Sequence, residues 1–231
     1  MKDFSQLEKN LSISFKNKDL LIQAFCHRSY INENPKFSLD HNERLEFLGD
    51  AVLELIVTES LYLDYPKKPE GELTAWRASL VNADSLANAA KSLDFNNYLL
   101  LSRGEAKDSG KARSFILANA YEAFIGSLYI DQGYEPCKKF IKDRLMIKLP
   151  DIIKNELFKD SKSRFQEEAQ EKENVTPSYS VIGESGPDHA KHFEIGVYLN
   201  NELVAKGQGF SKQEAEEKAA AAALKAKGWK I

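Results

Sequence analysis

The chain has 231 residues, 42% of them hydrophobic, and a formal net charge of −3. It contains no run of about 18 apolar residues and no apolar signal core at its start, so we expect neither a membrane span nor a secretory signal. Cys26 and Cys137 are too few and too far apart for a zinc site or a disulfide framework. We therefore expect a cytoplasmic protein in a reducing setting, with room for one large domain or two small ones and no membrane partner.

The first two thirds of the chain show helical periodicity. Helices are predicted over 17–29, 41–65, 71–91, 114–132 and 134–149. The second of these should end at Tyr65, because Pro66 disfavours helical backbone in the residue before it and cannot continue the hydrogen-bond ladder.

The pattern changes near residue 155. A charged amphipathic helix, three strands of alternating character and a final helix are predicted at 162–173, 177–183, 192–199, 202–208 and 211–229. Asn200-Asn201 suits a tight hairpin turn, since Asn tolerates positive φ. Ser211 and Glu214 can cap the last helix as a capping box.

An acidic stripe marks the segment HNERLEFLGDAVLEL (41–55). At about 100° per residue, Glu43, Glu46 and Asp50 lie within roughly 60° of one another, beside an apolar stripe of leucine and valine. Two simpler interpretations stay open. The stripe is a solvated helix face, or Glu43 only answers Asp40 across a capping box.

A second helix favours a chemical role. The segment ILANAYEAFIGSLYID (116–131) is almost wholly apolar but contains Asn119 and Glu122. Small residues on both helices, including Gly49 and Gly126, would let their oxygen-bearing side chains converge. Such hard oxygen ligands suit Mg²⁺ or Mn²⁺. A di-iron bundle would need Glu-x-x-His pairs, which the four histidines do not form.

These residues resemble a known family. The segment 41–55 resembles the signature of bacterial ribonuclease III, and AFCHRSYINEN (24–34), GELTAWRASLVNADSLANAA (71–90) and SRGEAKDSGKARSFILANAYEAFIGSLYIDQG (102–133) follow in that family's order. The resemblance covers nearly the whole chain. It implies an all-α ribonuclease III catalytic domain over 1–155, followed over 160–231 by a small α+β (α-β-β-β-α) double-stranded-RNA-binding domain.

The resemblance also implies a site. Glu46, Asp50 and Glu122 match the family's catalytic and metal-binding carboxylates, and Glu43 matches a supporting acidic residue. Position 119 is a departure, because the family pattern usually has Asp and this chain has Asn119. An amide oxygen can still ligate Mg²⁺, or Mn²⁺ as a substitute, but it brings no negative charge.

The implied function is an endoribonuclease. It would hydrolyse double-stranded RNA with a divalent metal, leave 5′-phosphate and 3′-hydroxyl ends, and process structured rRNA and mRNA precursors. A symmetric homodimer is expected, with Phe47 at its interface; plain core packing of Phe47 is the alternative. The alternative function is a double-stranded-RNA-binding protein with weak or no cleavage, because of Asn119.

The C-terminal segment carries the expected RNA ligands despite its charge. From residue 156 onward it has 13 acidic against 11 basic side chains, so RNA binding must depend on their placement. Candidate ligands come from the first helix, the GPDHAKHF loop and the start of the last helix: Gln166, Glu167, His189, Ser211, Lys212 and Lys218. Alternatively, Ser211 is only a helix cap and His189 an ordinary loop residue.

Overall fold

In the computed structural model the chain divides into two compact units, Met1–Phe158 and Lys159–Ile231, called here the N-terminal and C-terminal units. The structure describes residues 2–107, 109–156, 158, 160–187 and 191–229. Each unit has its own hydrophobic core. In these described stretches, no helix is both long and apolar enough to cross a membrane.

The N-terminal unit is built from helices. Its α-helices are α1 (Phe4–Leu11), α2 (Lys18–Ala24), α3 (Arg28–Glu33), α4 (Glu43–Asp64), α5 (Glu70–Val81), α6 (Ala83–Ser92), α7 (Arg103–Lys107), α8 (Lys111–Gln132), α9 (Tyr134–Arg144) and α10 (Leu149–Lys154). The helix α8, which contains the almost wholly apolar segment 116–131, is central, with α2, α4, α6 and α9 packed around it. This arrangement explains why that segment lacks a polar face.

The helix predicted over 17–29 is wrong as a single element. α2 ends at Ala24, and two residues later Cys26 forms an isolated parallel bridge with Leu100. The backbone N–H of Leu100 donates to Phe25 O at 2.8 Å, and that of His27 donates to Leu100 O at 3.1 Å. This long-range pairing overrides the local helical pattern.

Two further helices predicted as continuous are broken. The segment 71–91 divides at Asn82, whose backbone is extended and whose side chain accepts from the Ser85 N–H to start α6. The segment 134–149 divides at Leu145; a 3₁₀ turn follows, and α10 then begins with Pro150 in its first turn. The prediction also missed α1, an eight-residue helix that buries Phe4 and Leu7.

The end of α4 is as predicted. The helix stops at Asp64, with Tyr65 as its cap immediately before Pro66. It is therefore a continuous 22-residue rod, long enough to present several separate faces.

The C-terminal unit has the predicted α-β-β-β-α order. Its elements are α11 (Ser161–Glu173), β1 (Ser178–Ser185), β2 (His192–Leu199), β3 (Glu202–Gly209) and α12 (Lys212–Lys227). The strands form an antiparallel sheet in the order β1-β2-β3. Both helices pack together, and the sheet packs on α12, burying Phe165 and three alanines of α12 in the core.

The predicted turn and cap are formed, the cap with a shift. Asn200 and Asn201 both adopt positive φ, 48° and 68°, as a tight hairpin requires. Ser211 Oγ accepts from the Glu214 N–H at 3.1 Å. The Glu214 carboxylate, however, accepts from the N–H of Phe210 at 2.8 Å, one residue before the position a capping box uses.

Candidate active site and RNA-binding surface

The close crossing of α4 and α8 positions the candidate catalytic residues. A Cβ added to Gly49 would lie 1.8 Å from the backbone oxygen of Glu122, and one added to Gly126 would lie 2.1 Å from the backbone oxygen of Leu45. Only glycine allows such backbone contact at these two positions. The crossing therefore brings the Glu46 and Asp50 segment directly against the turn that carries Glu122.

Three carboxylates lie near enough beside this crossing to influence one another electrostatically. Glu46 and Glu122 are partly buried, whereas Asp50 is exposed. Burial, followed by the neighbouring charges of Asp50 and Glu46, raises the pKa of Glu122 to about 7. Burial and the charge of Glu43 also raise the pKa of Glu46. Within the described part of the chain, no Lys or Arg forms an ion pair with Glu46, Asp50 or Glu122.

Asn119 lies within this group. Its side chain forms a hydrogen bond with the Glu46 carboxylate, which favours the ionised form and partly offsets the upward shift of the Glu46 pKa. A carboxylate can only accept, so the Asn119 amide must donate through Nδ2. The Oδ1 atom of Asn119 is then left for another partner.

Glu43 has a different environment. It is exposed, and its carboxylate lies 3.6 Å from Arg28 and 3.7 Å from Nδ1 of His41. The Asp40–Glu43 capping box is wrong: Asn42 is the N-cap residue of α4, without a side-chain capping bond. Asp40 instead accepts from the backbone N–H of His41. Arg28 thus compensates the charge of Glu43, whereas no Lys or Arg in the described residues pairs with the three carboxylates at the crossing.

The carboxylate group fits a hard cation by its chemistry. It combines several acidic oxygens with one amide oxygen, and the excess negative charge disfavours ionisation of Glu122. As the side chains stand, no three His, Cys, Asp or Glu among the described residues are gathered closely enough to hold a metal ion. The residues therefore suit a dication in type and charge, and side-chain rotation would be needed to complete its coordination.

Phe47 lies on the solvent side of α4. Its side chain is 82% exposed, so the core-packing alternative is wrong. Leu55 and Tyr62 on the same helix are 58% and 71% exposed. At about 100° per residue these three side chains fall within roughly 80° of one another. They form an exposed apolar stripe, Phe47–Leu55–Tyr62, adjacent to the acidic stripe.

The candidate RNA ligands of the C-terminal unit lie on its surface. Gln166, Glu167, Ser211, Lys212 and Lys218 are all exposed. Gln166 and Ser211 line one groove of about 720 Å³ between the first turns of α11 and α12. The structure therefore brings these two together, although 45 positions separate them in the chain.

The two lysines have different partners. Lys218 Nζ lies 2.8 Å from Glu214 Oε1. Lys212 instead places its Nζ over the Phe193 ring, 5.7 Å from the centroid. Ser211 caps α12 through its Oγ, so the simple capping role is present. His189 lies outside the described residues.

Comparison with known proteins places the chain in a family. Residues 17–149 match the sequence model described as ribonuclease-III-like, and residues 161–227 match the double-stranded RNA binding motif. The chain is 47% identical to ribonuclease 3 of Enterococcus faecalis over 222 residues, covering 96% of each chain. It is 45% identical to ribonuclease 3 of Sulfurovum sp., covering 98% of this chain and 99% of the relative.

This chain belongs to the ribonuclease III family. A solved nuclease domain of ribonuclease III from Campylobacter jejuni, described for flexibility in a region involved in dimer formation, matches with a TM-score of 0.58 and 39% identity. That match covers 64% of this chain and 99% of the solved one. The chain is therefore an endoribonuclease with an all-helical nuclease domain and a C-terminal double-stranded-RNA-binding domain. Ribonuclease III enzymes are metal-dependent nucleases.

Sequence reasoning missed Arg28 and His41 as neighbours of Glu43. Arg28 opens α3 and His41 precedes α4, yet both approach Glu43. Arg28 stands 15 positions before Glu43 in a different helix, so helical periodicity gives no signal for the pair. The presence of Arg28 within the 24–34 motif was the only available indication.

Proposed function

We propose that this ribonuclease III uses Mg²⁺, with Mn²⁺ as a substitute, to hydrolyse phosphodiester bonds in double-stranded RNA. The observation that supports this most directly is the pair Glu46 and Glu122, whose pKa values are raised by burial and by neighbouring carboxylates, without an ion-paired Lys or Arg in the described residues. An arrangement that disfavours its own ionisation in the free protein is suited to binding a dication.

Each residue at the crossing has a distinct proposed role. Glu46, Asp50 and Glu122 would hold the ion through carboxylate oxygens, and Asn119 would add its Oδ1 while its Nδ2 orients Glu46. Near pH 7 Glu122 holds a proton for part of the time, and this proton must leave before its oxygen can ligate. When bound, the ion would supply an activated water and stabilise charge on the scissile phosphate.

The expected products follow from which bond breaks. A water oxygen forms the new bond to phosphorus, the bond from phosphorus to the 3′ oxygen breaks, and that oxygen takes a proton. The fragments then carry a 5′-phosphate and a 3′-hydroxyl. We infer that the substrates are structured rRNA and mRNA precursors in the cytoplasm.

We infer that two chains act together through α4. The midpoint of the stripe Phe47–Leu55–Tyr62 is close to Leu55. A twofold axis there would run two α4 helices antiparallel and place Phe47 of one copy near Tyr62 of the other. A cavity of about 620 Å³ beside Tyr62, with Leu61 and Leu73 among its lining residues, could receive the Phe47 ring. The acidic stripes of both copies would then border one interface.

The dimer is tested by the mass of the chain in solution. Phe47→Glu should shift sedimentation equilibrium towards monomer, because it would bury a charge at the interface. Phe115→Glu, at a 48% exposed phenylalanine of α8, is the matched control and should leave the mass unchanged. An unaltered dimer in Phe47→Glu would place the interface elsewhere.

The C-terminal domain is proposed to bind the duplex. Lys212 and Lys218 would contact phosphates and Ser211 would present the α12 N-terminus, whereas Gln166, Glu167 and His189 would reach the minor groove. Such domains read A-form shape, 2′-hydroxyls and phosphates more than sequence. This mode of recognition is compatible with a slightly negative domain in which Lys212 and Lys218 both lie in the first half of α12.

The decisive experiment is a gel of end-labelled duplex RNA incubated with EDTA, Mg²⁺ or Mn²⁺. Cleavage in either metal and none in EDTA is expected, and the fragments should be degraded by a nuclease that requires a 5′-phosphate. Retarded but uncut RNA in both metals would favour the alternative of a double-stranded-RNA-binding protein disabled by Asn119.

A further inference from the structure

A cationic cavity lies in the N-terminal unit, separate from the carboxylates. It has a volume of about 710 Å³ and is formed by the end of α6, the segment 94–101 and the start of α8. Its charged lining among the described residues comprises four cations and one acid: Lys2, Lys91, Lys107, Arg113 and Asp94. This imbalance favours an anionic occupant.

Lys2 and Lys91 bond to neutral oxygens. Lys2 Nζ donates to the backbone oxygen of Leu99 at 2.7 Å, and Lys91 Nζ lies 3.3 Å from Ser114 Oγ. Arg113 donates to the backbone oxygen of Glu105 at 2.6 Å. Partial burial and the charge of Arg113 lower the pKa of Lys2. These bonds hold the cations in position, and the Lys2 and Lys91 charges have no carboxylate partner in the described residues.

The rest of the lining suits more than a bare ion. Asn96 and Asn97 provide amide groups, Tyr30 provides a phenol ring, and Leu99 and Leu101 provide apolar side chains. The volume falls within the range of about 300–1,000 Å³ that small-molecule sites occupy. An anion with an attached heterocycle and sugar would use all three kinds of surface.

The cavity is not an extension of the catalytic group. Arg113 and Glu122 are nine residues apart on α8, which at about 100° per residue places them on opposite sides of the helix. None of Glu46, Asp50, Asn119 and Glu122 lines the cavity.

We propose that this cavity binds a phosphate-bearing ligand of mononucleotide size, with Lys2, Lys91 and Arg113 contacting phosphate oxygens. Lysine and arginine form charge-assisted hydrogen bonds with phosphate. The phosphate has two possible sources, a free nucleotide or the backbone of bound RNA. The proposal goes beyond the cleavage function and depends on none of the catalytic assignments.

The first test measures binding of adenosine 5′-diphosphate and of inorganic pyrophosphate to the full chain by calorimetry. EDTA is present, so that metal does not contribute. Lys2→Met with Lys91→Met should weaken binding by about tenfold or more for each lysine. Lys67→Met is the matched control, since Lys67 is exposed and does not line this cavity. A thermal melt of each variant confirms that it is folded.

A substitution that is expected to strengthen binding makes the test independent of any loss of fold. Asp94→Asn removes the acid from the wall, and Asn tolerates the left-handed backbone found at this position, where φ is 57°. Nucleotide and pyrophosphate should both bind several-fold more tightly to this variant.

Duplex RNA in EDTA distinguishes the two sources. If the double lysine variant loses nucleotide binding but keeps its RNA affinity, the ligand is a free nucleotide. If its RNA affinity falls and its log–log salt slope drops by about 0.7–0.9 per lost contact, the phosphate belongs to RNA. The proposal is overturned if the native chain binds neither small anion and the variant's RNA salt slope is unchanged. Nucleotide or pyrophosphate binding that survives the double lysine substitution would also overturn the proposal.

Discussion

In the N-terminal unit, Glu46 and Glu122 come from helices whose backbones touch at Gly49 and Gly126, whereas in the C-terminal unit the candidate RNA ligands are exposed side chains on a helix surface. The carboxylates are partly buried and have no ion-paired Lys or Arg in the described residues. On the RNA-binding surface, Lys218 is already ion-paired with Glu214 at 2.8 Å. Phosphodiester chemistry needs charge held in place at a cost in stability. Recognition of a duplex by shape can use side chains that exchange one partner for another.

Glu122→Gln should distinguish the roles of the two units most clearly, because it should affect cleavage and leave RNA binding intact. Loss of this carboxylate should reduce Mg²⁺-dependent cleavage by more than about a hundredfold, because even outer-shell partners of metal sites cost 10- to 100-fold when removed. Duplex affinity, measured by gel retardation, should be nearly unchanged. Glu135→Gln, at an exposed carboxylate of α9, is the control. Substantial cleavage by Glu122→Gln would remove Glu122 from the catalytic assignment.

Gly126→Ala tests the crossing itself. The added Cβ would meet the Leu45 oxygen at 2.1 Å, so α4 and α8 must separate, with a loss of about 1–3 kcal/mol in the free energy of unfolding. A carboxylate displaced by about 1 Å can cost about a hundredfold in cleavage rate. Urea denaturation and cleavage assays measure the two effects.

Gly71→Ala is the matched control for the crossing. An added Cβ there meets nothing within 4 Å, so the free energy of unfolding of this variant should rise by about 0.5–1 kcal/mol. Equal stability of the two glycine variants would mean that the crossing tolerates more space than its contacts indicate.

Asn119→Asp tests how the charge at position 119 affects metal binding in the N-terminal unit. An anionic oxygen replaces a neutral one beside the proposed dication, and a unit charge at 4 Å is worth about 1 kcal/mol even in water. The Mg²⁺ concentration for half-maximal cleavage should fall by at least about fivefold. In EDTA the melting temperature should also fall, since the donor to Glu46 is lost and a further carboxylate is added. An unchanged metal requirement would show that position 119 does not ligate the ion.

Lys212→Ala with Lys218→Ala tests the RNA-binding surface. Duplex affinity should weaken uniformly across sequences, and each lost phosphate contact should lower the log–log salt slope by about 0.7–0.9. Lys212 should contribute more to duplex affinity than Lys218, because Lys218 must first break its ion pair with Glu214. Lys206→Ala with Lys225→Ala, at two other exposed lysines of the unit, is the control pair. Unchanged affinity and slope would exclude the start of α12 as the phosphate site.

The smallest expected effect is a pH dependence of the stability of the metal-free protein. Burial, followed by the charges of Asp50 and Glu46, raises the pKa of Glu122 from 4.5 to about 7. The folded state thus binds the proton more tightly, and this contribution to stability is complete below pH 4.5 and lost as pH rises through about 7. Melting temperatures in EDTA should show the decline in the native chain and a weaker one in Glu122→Gln. Parallel pH curves would contradict the raised pKa.

The sequence by itself determined the fold class and the order of elements in the C-terminal unit. It also named the residues of the candidate site, whose roles stay a prediction. Pro66 ended α4, Asn200 and Asn201 formed the hairpin, and the pattern change near residue 155 separated the two kinds of architecture. These features are local, since they depend on backbone preferences and on periodicity within one element.

Only the tertiary structure decided features that join distant parts of the chain. Leu100 pairs with Cys26 and thereby ends a helix that the local pattern would continue. Arg28 forms an ion pair with Glu43, and His41 lies beside the same carboxylate. The backbone contact at Gly49 and Gly126 decides how near the carboxylates lie. Periodicity assigns a residue to a face of its own helix, but burial, pKa and ion pairing depend on which other helix covers that face.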